Sequence, residues 1–544
     1  MDFSRRDLLA LTGLALAGTA VTPSALHAQT PKRGGTLTLR VWDPPHFDPY
    51  LVVAYKTQVI YSFTHSRLLK HKAGPSVQLG SFTLEGDLAE SWSQPSETTY
   101  VFRLRKGVRW HTKPPTNGRE LTADDVVYSM DRFRNLTSNP QNYLLGSVDR
   151  VEATDRYTVK VTLKEPYVWF PDIVANPMTG AIVAREAVEK FGDLKKWEAT
   201  VGTGPWMLES YRPNVGMTLV RNPNYFVPGL PYIDRVELVV DEDQASRVAA
   251  FLARKYDLGT EFMGTINRPD WNQLKDQLAK HRPGLRTVEL PSNVRMGVTM
   301  RSDRPPFNDV RVRRAISLAL NRPALVEAVA DGAAVFNPPG LPIALKDWSL
   351  PVEQLGEGAQ YYKHDPAEAR RLLARAGYAK GFATVIDFHS FGETALVDGA
   401  QLIAKDLKDI GIEAKLNQRE YGAYIATVPL GKYEGIVWGP STPFLDPDSF
   451  LASAYLPESP RNNMKVNDPP LTDMLLRQRR VQDPAKRREL ILDIQRYLAK
   501  MVYRAEAYSP VLPAVWDPAL KNYAPNLGYD YGGRLMAAWL DRGA

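Results

Sequence analysis

Eight histidines, at 27, 46, 65, 71, 111, 281, 364 and 389, are the first residues to weigh for metal or acid–base chemistry. No two of them stand three, four or five residues apart, the spacings that put two imidazoles on one helix face, and no His-Glu-x-x-His occurs. There is no cysteine, which removes thiolate metal ligands, thiol nucleophiles and disulfides together. A Gly-x-Ser-x-Gly elbow, a Gly-x-x-x-x-Gly-Lys phosphate loop and a Gly-x-Gly-x-x-Gly fingerprint are also missing. Gly202-Thr203-Gly204-Pro205 is glycine-rich, but its proline removes a backbone donor, so it reads as a turn. Asp446-Pro447-Asp448 offers two carboxylates for acid–base work. Just ahead of Phe450 and Leu451, however, an Asp-Pro pair reads as a turn and helix start. Catalysis has no positive support here, and neither a metal nor a cofactor is expected.

The elements that would carry any site alternate between two periods. Tyr100, Phe102 and Leu104 share one side of a period-two run, as do Tyr157, Val159, Val161 and Leu163, and then Val236, Leu238 and Val240; each predicts a half-buried strand. Helix starts are marked at Thr122-Ala123-Asp124-Asp125, Asn308-Asp309, Asp365-Pro366 and Asp483-Pro484. A further helix is predicted from about Val397 to Ile410, with Gly411 ending it as Gly377 ends the Asp365 helix. Mixed elements of this kind give an α/β fold with central sheets rather than a bundle or a sandwich.

The first residues speak to the compartment. Arg5 and Arg6 precede an uncharged, mainly apolar run of 14 residues from Leu8 to Val21, then Pro23, Ser24 and Ala28. The run is too short to span a ~30 Å hydrocarbon core, and the small residues after it fit cleavage near Ala28. The expectation is an exported, soluble, periplasmic protein, carried by the twin-arginine route or, with an incidental arginine pair, by the general secretory route. Without cysteine it is not lipidated at a mature N-terminus. The net charge of +7 is a weak field over 544 residues. The Arg-Arg pairs at 313–314, 370–371, 479–480 and 487–488 read as solvated helix faces beside acidic partners, so no nucleic-acid partner is expected.

Several ordered blocks together resemble one family, the bacterial extracellular solute-binding proteins of the dipeptide, oligopeptide and nickel-chelate group, family 5. The densest runs from Leu88 to His111 (LAESWSQPSETTYVFRLRKGVRWH). It is followed by Thr122 to Phe133, Gly202 to Tyr211, Leu219 to Phe226, Phe307 to Val329, Asp365 to Tyr378 and Leu445 to Leu451. The resemblance implies a two-lobed periplasmic binding protein of the type II class with an extra family-specific subdomain. Lobe I would be residues 29–72, 200–290 and 512–544, the subdomain 73–199, and lobe II 291–511. The crossings would fall near Leu290-Pro291-Ser292 and Tyr508-Ser509-Pro510. It also implies a monomer that catches a small or peptide-like ligand and hands it to the permease subunits of an ABC importer after passage through the export machinery.

Peptide-binding relatives resemble one another in a Trp-x-x-Asp segment ahead of the Asp-Pro motif, whose aspartate meets the ligand's amine. Here Ser441 stands where that aspartate is expected, and a neutral hydroxyl gives no charge-assisted bond to a buried ammonium. The arginine expected for the peptide carboxylate is absent from His389 to Thr394. A ligand other than a simple dipeptide is therefore expected, lined by Phe391, Trp438, Ser441, Thr442 and Phe444 and faced by Trp42, His46, Glu261 and Phe262. A periplasmic enzyme or a peptide-binding chaperone on the same fold are the alternatives. The first would turn its ligand over, and the second would suppress aggregation without a saturable small ligand.

Overall fold

The computed structural model describes residues 30–52, 54–259, 266–391, 394–442 and 444–542. The apolar run at 8–21 and Arg5, Arg6 and Ala28 lie outside them. No helix among the described residues is long and apolar enough to cross a membrane.

Strand Thr36–Val41 pairs in parallel with Arg235–Val240, which continues antiparallel through Gly216–Arg221 to Trp206–Arg212. Alternation places Leu37, Leu39, Val236 and Leu238 on the buried side, where they form one core with Phe63, Trp206 and the C-terminal Tyr531, Leu535 and Leu540. The chain's two ends meet because helix Tyr55–Thr64 packs on helix Tyr531–Leu535, with the backbone N–H of Gly532 donating to Ser62 Oγ at 3.0 Å.

The segment from 73 to 199 builds its own antiparallel sheet, ordered Ala89–Ser96, Thr99–Leu104, Thr158–Leu163, Val148–Asp155. Helix Ala123–Asn135 starts with the capping box read from the sequence, Thr122 and Asp125 each accepting from the other's backbone. His111 ties this unit to the turn at 202–204. The Gly202 N–H donates to Nδ1 at 3.2 Å, and Nε2 lies 3.2 Å from the Gly204 carbonyl. Both glycines are obligatory, since a Cβ would sit 1.9 Å from the Thr64 carbonyl oxygen at Gly202 and 2.5 Å from its carbon at Gly204.

That bond pattern requires a neutral imidazole, and burial pushes His111 down to about 3; burial, helped by Arg67, pushes His71 down to about 4. In the unfolded chain both protonate near 6.5. With folded values depressed, the stability they contribute is fully present above about pH 6.5 and is lost as pH falls toward 4. Their share of the melting temperature is therefore expected to drop through this window. His111→Gln, whose amide keeps one donor and one acceptor, should shallow the slope in thermal scans across pH.

The third sheet is organised by one long strand, Arg504–Trp516. Its first half pairs with Met296–Met300 (Val298↔Ala505) and its second half with Arg286–Pro291 (Leu290↔Leu512), so the partner changes across residues 292–295 and 509–510. Beyond Met296–Met300 the order continues through Ile436–Pro440 and Phe382–Phe388 to Ile412–Gln418. Helices Val310–Ala319, Arg322–Ala330, Pro366–Arg375 and Thr394–Lys408 cover this sheet, and their apolar stripes make one core with Val298, Ile386 and Ile436. The mixed α/β architecture expected from the sequence is the one observed.

One packing feature links distant segments, and one expectation needs correction. The largest apolar cluster joins Phe102, Phe133, Val161 and Phe170 to Leu451, Leu475, Ile491 and Leu498. Helices Pro447–Tyr455, Pro469–Arg480 and Pro484–Met501 thus share a core with the 73–199 unit. The expectation to correct is that of the arginine pairs, which are not simply solvated. Arg313 is 3% exposed and donates to the Phe307, Asn308 and Met501 carbonyls, where its charge serves loop ends that no helix bond reaches. Arg479 pairs with buried Asp448 at 2.9 Å.

Candidate functional site

Two groups of aromatic rings face each other where the halves meet. On the first side Trp42 follows strand Thr36–Val41, with the Arg40 guanidinium 4.3 Å from its ring centre and Tyr55 edge-on at 5.2 Å. Tyr55, the first residue of its helix, stacks on Tyr529 of the C-terminal segment at 5.1 Å. On the second side His389 and Phe391 extend from strand Phe382–Phe388, and Tyr421 opens helix Tyr421–Thr427, capped by Glu420. Phe391 lies 4.6 Å from His389 and 5.9 Å from Tyr421. It has φ +53°, a left-handed backbone rarely held by a bulky side chain and one that places strain at the strand's exit. Lys56 joins the two sides, its Nζ 5.1 Å above the Tyr421 ring.

The floor comes from the segment after strand Ile436–Pro440. The Ser441 N–H donates to the Arg295 carbonyl at 2.9 Å, and its Oγ accepts from the Arg295 N–H at 3.3 Å, so this hydroxyl fixes backbone at the crossing. Thr442 Oγ1 accepts from Arg461 Nη2. Burial pushes the Tyr529 hydroxyl well above its ordinary range, with Tyr55, Tyr531 and Tyr421 adding to this and Arg461 opposing it, so these groups share one neighbourhood. Lys56 is held below its ordinary value by burial and Arg40, opposed by Glu242 and Asp43. Tyr55, Lys56, Phe391, Tyr421, Ser441, Thr442 and Arg461 are all half-buried, keeping surface for a solute.

The residues expected from the sequence separate into three sets. Trp42, Phe391, Ser441 and Thr442 lie in this cleft region. Trp438 and Phe444 do not line it. Trp438 is fully buried, donates from Nε1 to the Leu396 carbonyl at 3.1 Å and fills the space that a Cβ on Gly399 would occupy. Phe444 is 3% exposed and packs edge-on to Phe450 at 5.5 Å, its carbonyl accepting from Asn293. Their alternation on strand and helix start points them into the core. His46 lies in a separate groove of about 420 Å³ with Phe47, Lys195, Trp197 and Tyr211, its Nδ1 accepting from the Asp48 N–H at 3.2 Å. Glu261 and Phe262 fall outside the described residues. Tyr55, Lys56, Tyr421, Arg461 and Tyr529 were not legible as a site because helix starts and loops hundreds of residues apart bring them together.

Comparison with known proteins agrees with this architecture. The family described as bacterial extracellular solute-binding proteins, family 5 (middle), matches residues 83–461. The dipeptide-binding protein of Escherichia coli K12 is 27% identical over 529 residues, covering 90% of this chain and 93% of that protein. The glutathione-binding protein of Shigella flexneri is 27% identical over 462 residues, covering 82% and 83%. Among solved structures, the periplasmic binding protein DppA of Helicobacter pylori, in complex with the peptide STSA, superposes with a TM-score of 0.80. It has 24% identity and covers 94% of this chain and 99% of that one. AgaA of A. tumefaciens, in complex with agropinic acid, gives a TM-score of 0.79 at 22% identity, covering 94% and 99%. The fold is that of the two-lobed periplasmic binding proteins, and the chain belongs to family 5 of the bacterial extracellular solute-binding proteins.

Proposed function

We propose that the protein is the soluble receptor of an ABC importer, closing two lobes on a small organic or peptide-like solute and presenting it to inner-membrane permease subunits. The supporting observation is the meeting of Trp42, Tyr55, Lys56 and Tyr529 with Phe391, Tyr421, Thr442 and Arg461 beside the partner change in strand Arg504–Trp516. A solute touching both sets stabilises the closed form by its differential contacts. Residues 292–295 and 509–510 act as the hinges, where few backbone angles need change. Lobe I is taken as 29–72, 200–290 and 512–544, with 73–199 riding on it and 291–511 forming lobe II. Residues 1–28 serve as a twin-arginine leader, and the mature chain works as a periplasmic monomer without lipid, cofactor or catalytic group. The ligand is not a simple dipeptide, since Ser441 offers no charge to an ammonium.

Protein purified from its own cell envelope should carry its solute, visible by native mass spectrometry. Adding that solute to stripped protein should shrink the radius of gyration and raise the melting temperature at one-to-one stoichiometry. Conversion of the solute to a product would favour an enzyme. Aggregation suppression without any saturable small ligand would favour a chaperone. Micromolar binding of a dipeptide mixture would overturn the exclusion of dipeptides.

A further inference from the structure

Lys56 and Arg461 are two cations from opposite sides of the cleft, both half-buried, and neither has an ion-pair partner among the described residues. Rings and hydroxyls lie closest to them, and at Lys56 the Arg40 charge is opposed by those of Glu242 and Asp43. Lys56 stands over Tyr421, while Arg461 spends one guanidinium nitrogen on Thr442 Oγ1. The buried Tyr143 hydroxyl, on which the Arg461 charge also acts, has no hydrogen-bond partner. Several buried arginines elsewhere have a carboxylate partner, Arg132 with Asp48 at 2.7 Å, Arg67 with Asp530 at 2.6 Å and Arg295 with Glu506 at 2.5 Å, while Arg313 and Arg322 spend their N–H groups mainly on backbone carbonyls; Arg461 bonds a single hydroxyl instead. Removing an uncompensated charge from water costs several kcal/mol in real proteins, which selection tolerates where a ligand supplies the counter-charge.

Resting on the reading of the chain as a solute receptor, we propose that its cargo is an organic anion. A carboxylate or equivalent group is gripped by Arg461 and drawn to Lys56 as the lobes close, while a flat or apolar body lies among Trp42, Tyr529 and Tyr421. The guanidinium keeps free N–H groups in a planar fork, which suits a two-oxygen acceptor, and Lys56 adds a point charge from the far side. Charge in the cargo thus also supplies part of the closing force, because only the closed form brings both cations to one anion.

The test is a thermal-shift and calorimetric screen of the exported chain. Hydroxybenzoates, uronates, N-acylamino acids and dicarboxylates are each paired with the uncharged amide or alcohol. Positive shifts should concentrate in the anionic partner of each pair, and Arg461→Met should weaken the best anion roughly 10- to 100-fold, the loss of one charged hydrogen bond. Lys56→Gln should weaken it by a smaller factor and flatten the dependence on salt, with the unliganded melting temperature of both variants close to the parent's. Binding concentrated in neutral or cationic compounds, with compaction of the molecule, would overturn the anionic cargo and leave the receptor reading standing. So would anion binding that both variants leave unchanged. Turnover of a compound, or no shift from any member, would count against the receptor reading itself and the anion with it.

Discussion

Glu506→Ala is expected to destabilise the second lobe by about 3–5 kcal/mol, because it leaves two buried guanidinium groups without their counter-ion. The Glu506 carboxylate is 1% exposed and accepts from Arg295 Nη1 at 2.5 Å and Arg504 Nη1 at 2.8 Å. Arg295 stands on the segment leaving strand Arg286–Pro291, and Glu506 and Arg504 on the strand that crosses beside it, so the triad pins the partner change itself. Arg504 Nη2 also holds the Arg295 and Gly439 carbonyls at 3.1 and 2.8 Å, and the Glu506 carbonyl accepts from Arg322 at 2.7 Å. Burial already pushes Arg504 below its ordinary value, with Glu506 opposing this, so loss of the acid removes the opposing charge. Urea unfolding should show a clearly lower midpoint for Glu506→Ala. Adding Arg295→Met and Arg504→Met should recover much of it, since an apolar replacement of a whole buried triad is often neutral. A single variant within about 1 kcal/mol of the parent would show that water reaches the guanidiniums and that the triad does not hold the crossing.

Local signals carried the fold well. Asp365, Asp446 and Asp483 each precede a proline and each accepts from backbone N–H groups in the first helical turn, as their order in the sequence predicts. The three period-two runs are strands, and Gly377 and Gly411 take φ +92° and +89° just beyond their helices. These features depend on neighbours within four residues. The cleft does not. Trp438 and Trp42 carry the same side chain, yet one is sealed by Gly399 and Leu396 and the other lies under Arg40, a difference set by which strand lies beside each. Arg461 gave no sign in the sequence because an exposed loop arginine and a cleft arginine look alike until Thr442 and Tyr529 are placed next to them. Trp42, Phe391, Ser441 and Thr442 were readable as cleft candidates, whereas Tyr55, Lys56, Tyr421 and Tyr529, which surround them, were not.

Trp169→Ala should have the second large effect, and it should act on the joint between the 73–199 unit and the C-terminal helices. Trp169 is 5% exposed, donates from Nε1 to Gln478 Oε1 at 2.9 Å, packs against Trp348 at 5.1 Å and carries the Arg487 guanidinium 4.9 Å above its ring. The residues before it extend the clasp. The Tyr167 hydroxyl donates to Asp448 Oδ2 at 2.8 Å, and the Val168 N–H to the Arg479 carbonyl at 3.0 Å. Truncating a buried tryptophan to alanine costs about 3–5 kcal/mol, and here the loss should appear as faster proteolysis within 73–199 and a larger radius of gyration. The same joint sets an alkaline limit. Burial, with Asp446 adding and Arg487 opposing, pushes half-buried Asp172 up to about 8, and burial with Asp448 pushes Asp446 up to about 6. Both folded values lie above the unfolded value near 3.9, so the folded state holds the extra protons and stability falls as pH rises from about 4 toward 8. His111 and His71 act in the opposite sense below about 6.5, so the two contributions offset one another between about 4 and 6.5 and the net fall appears above 6.5, where Asp172 still titrates. Asp172→Asn, which cannot ionise, should flatten the alkaline limb alone. An unchanged limb would place Asp172 in open water and the source of the slope elsewhere.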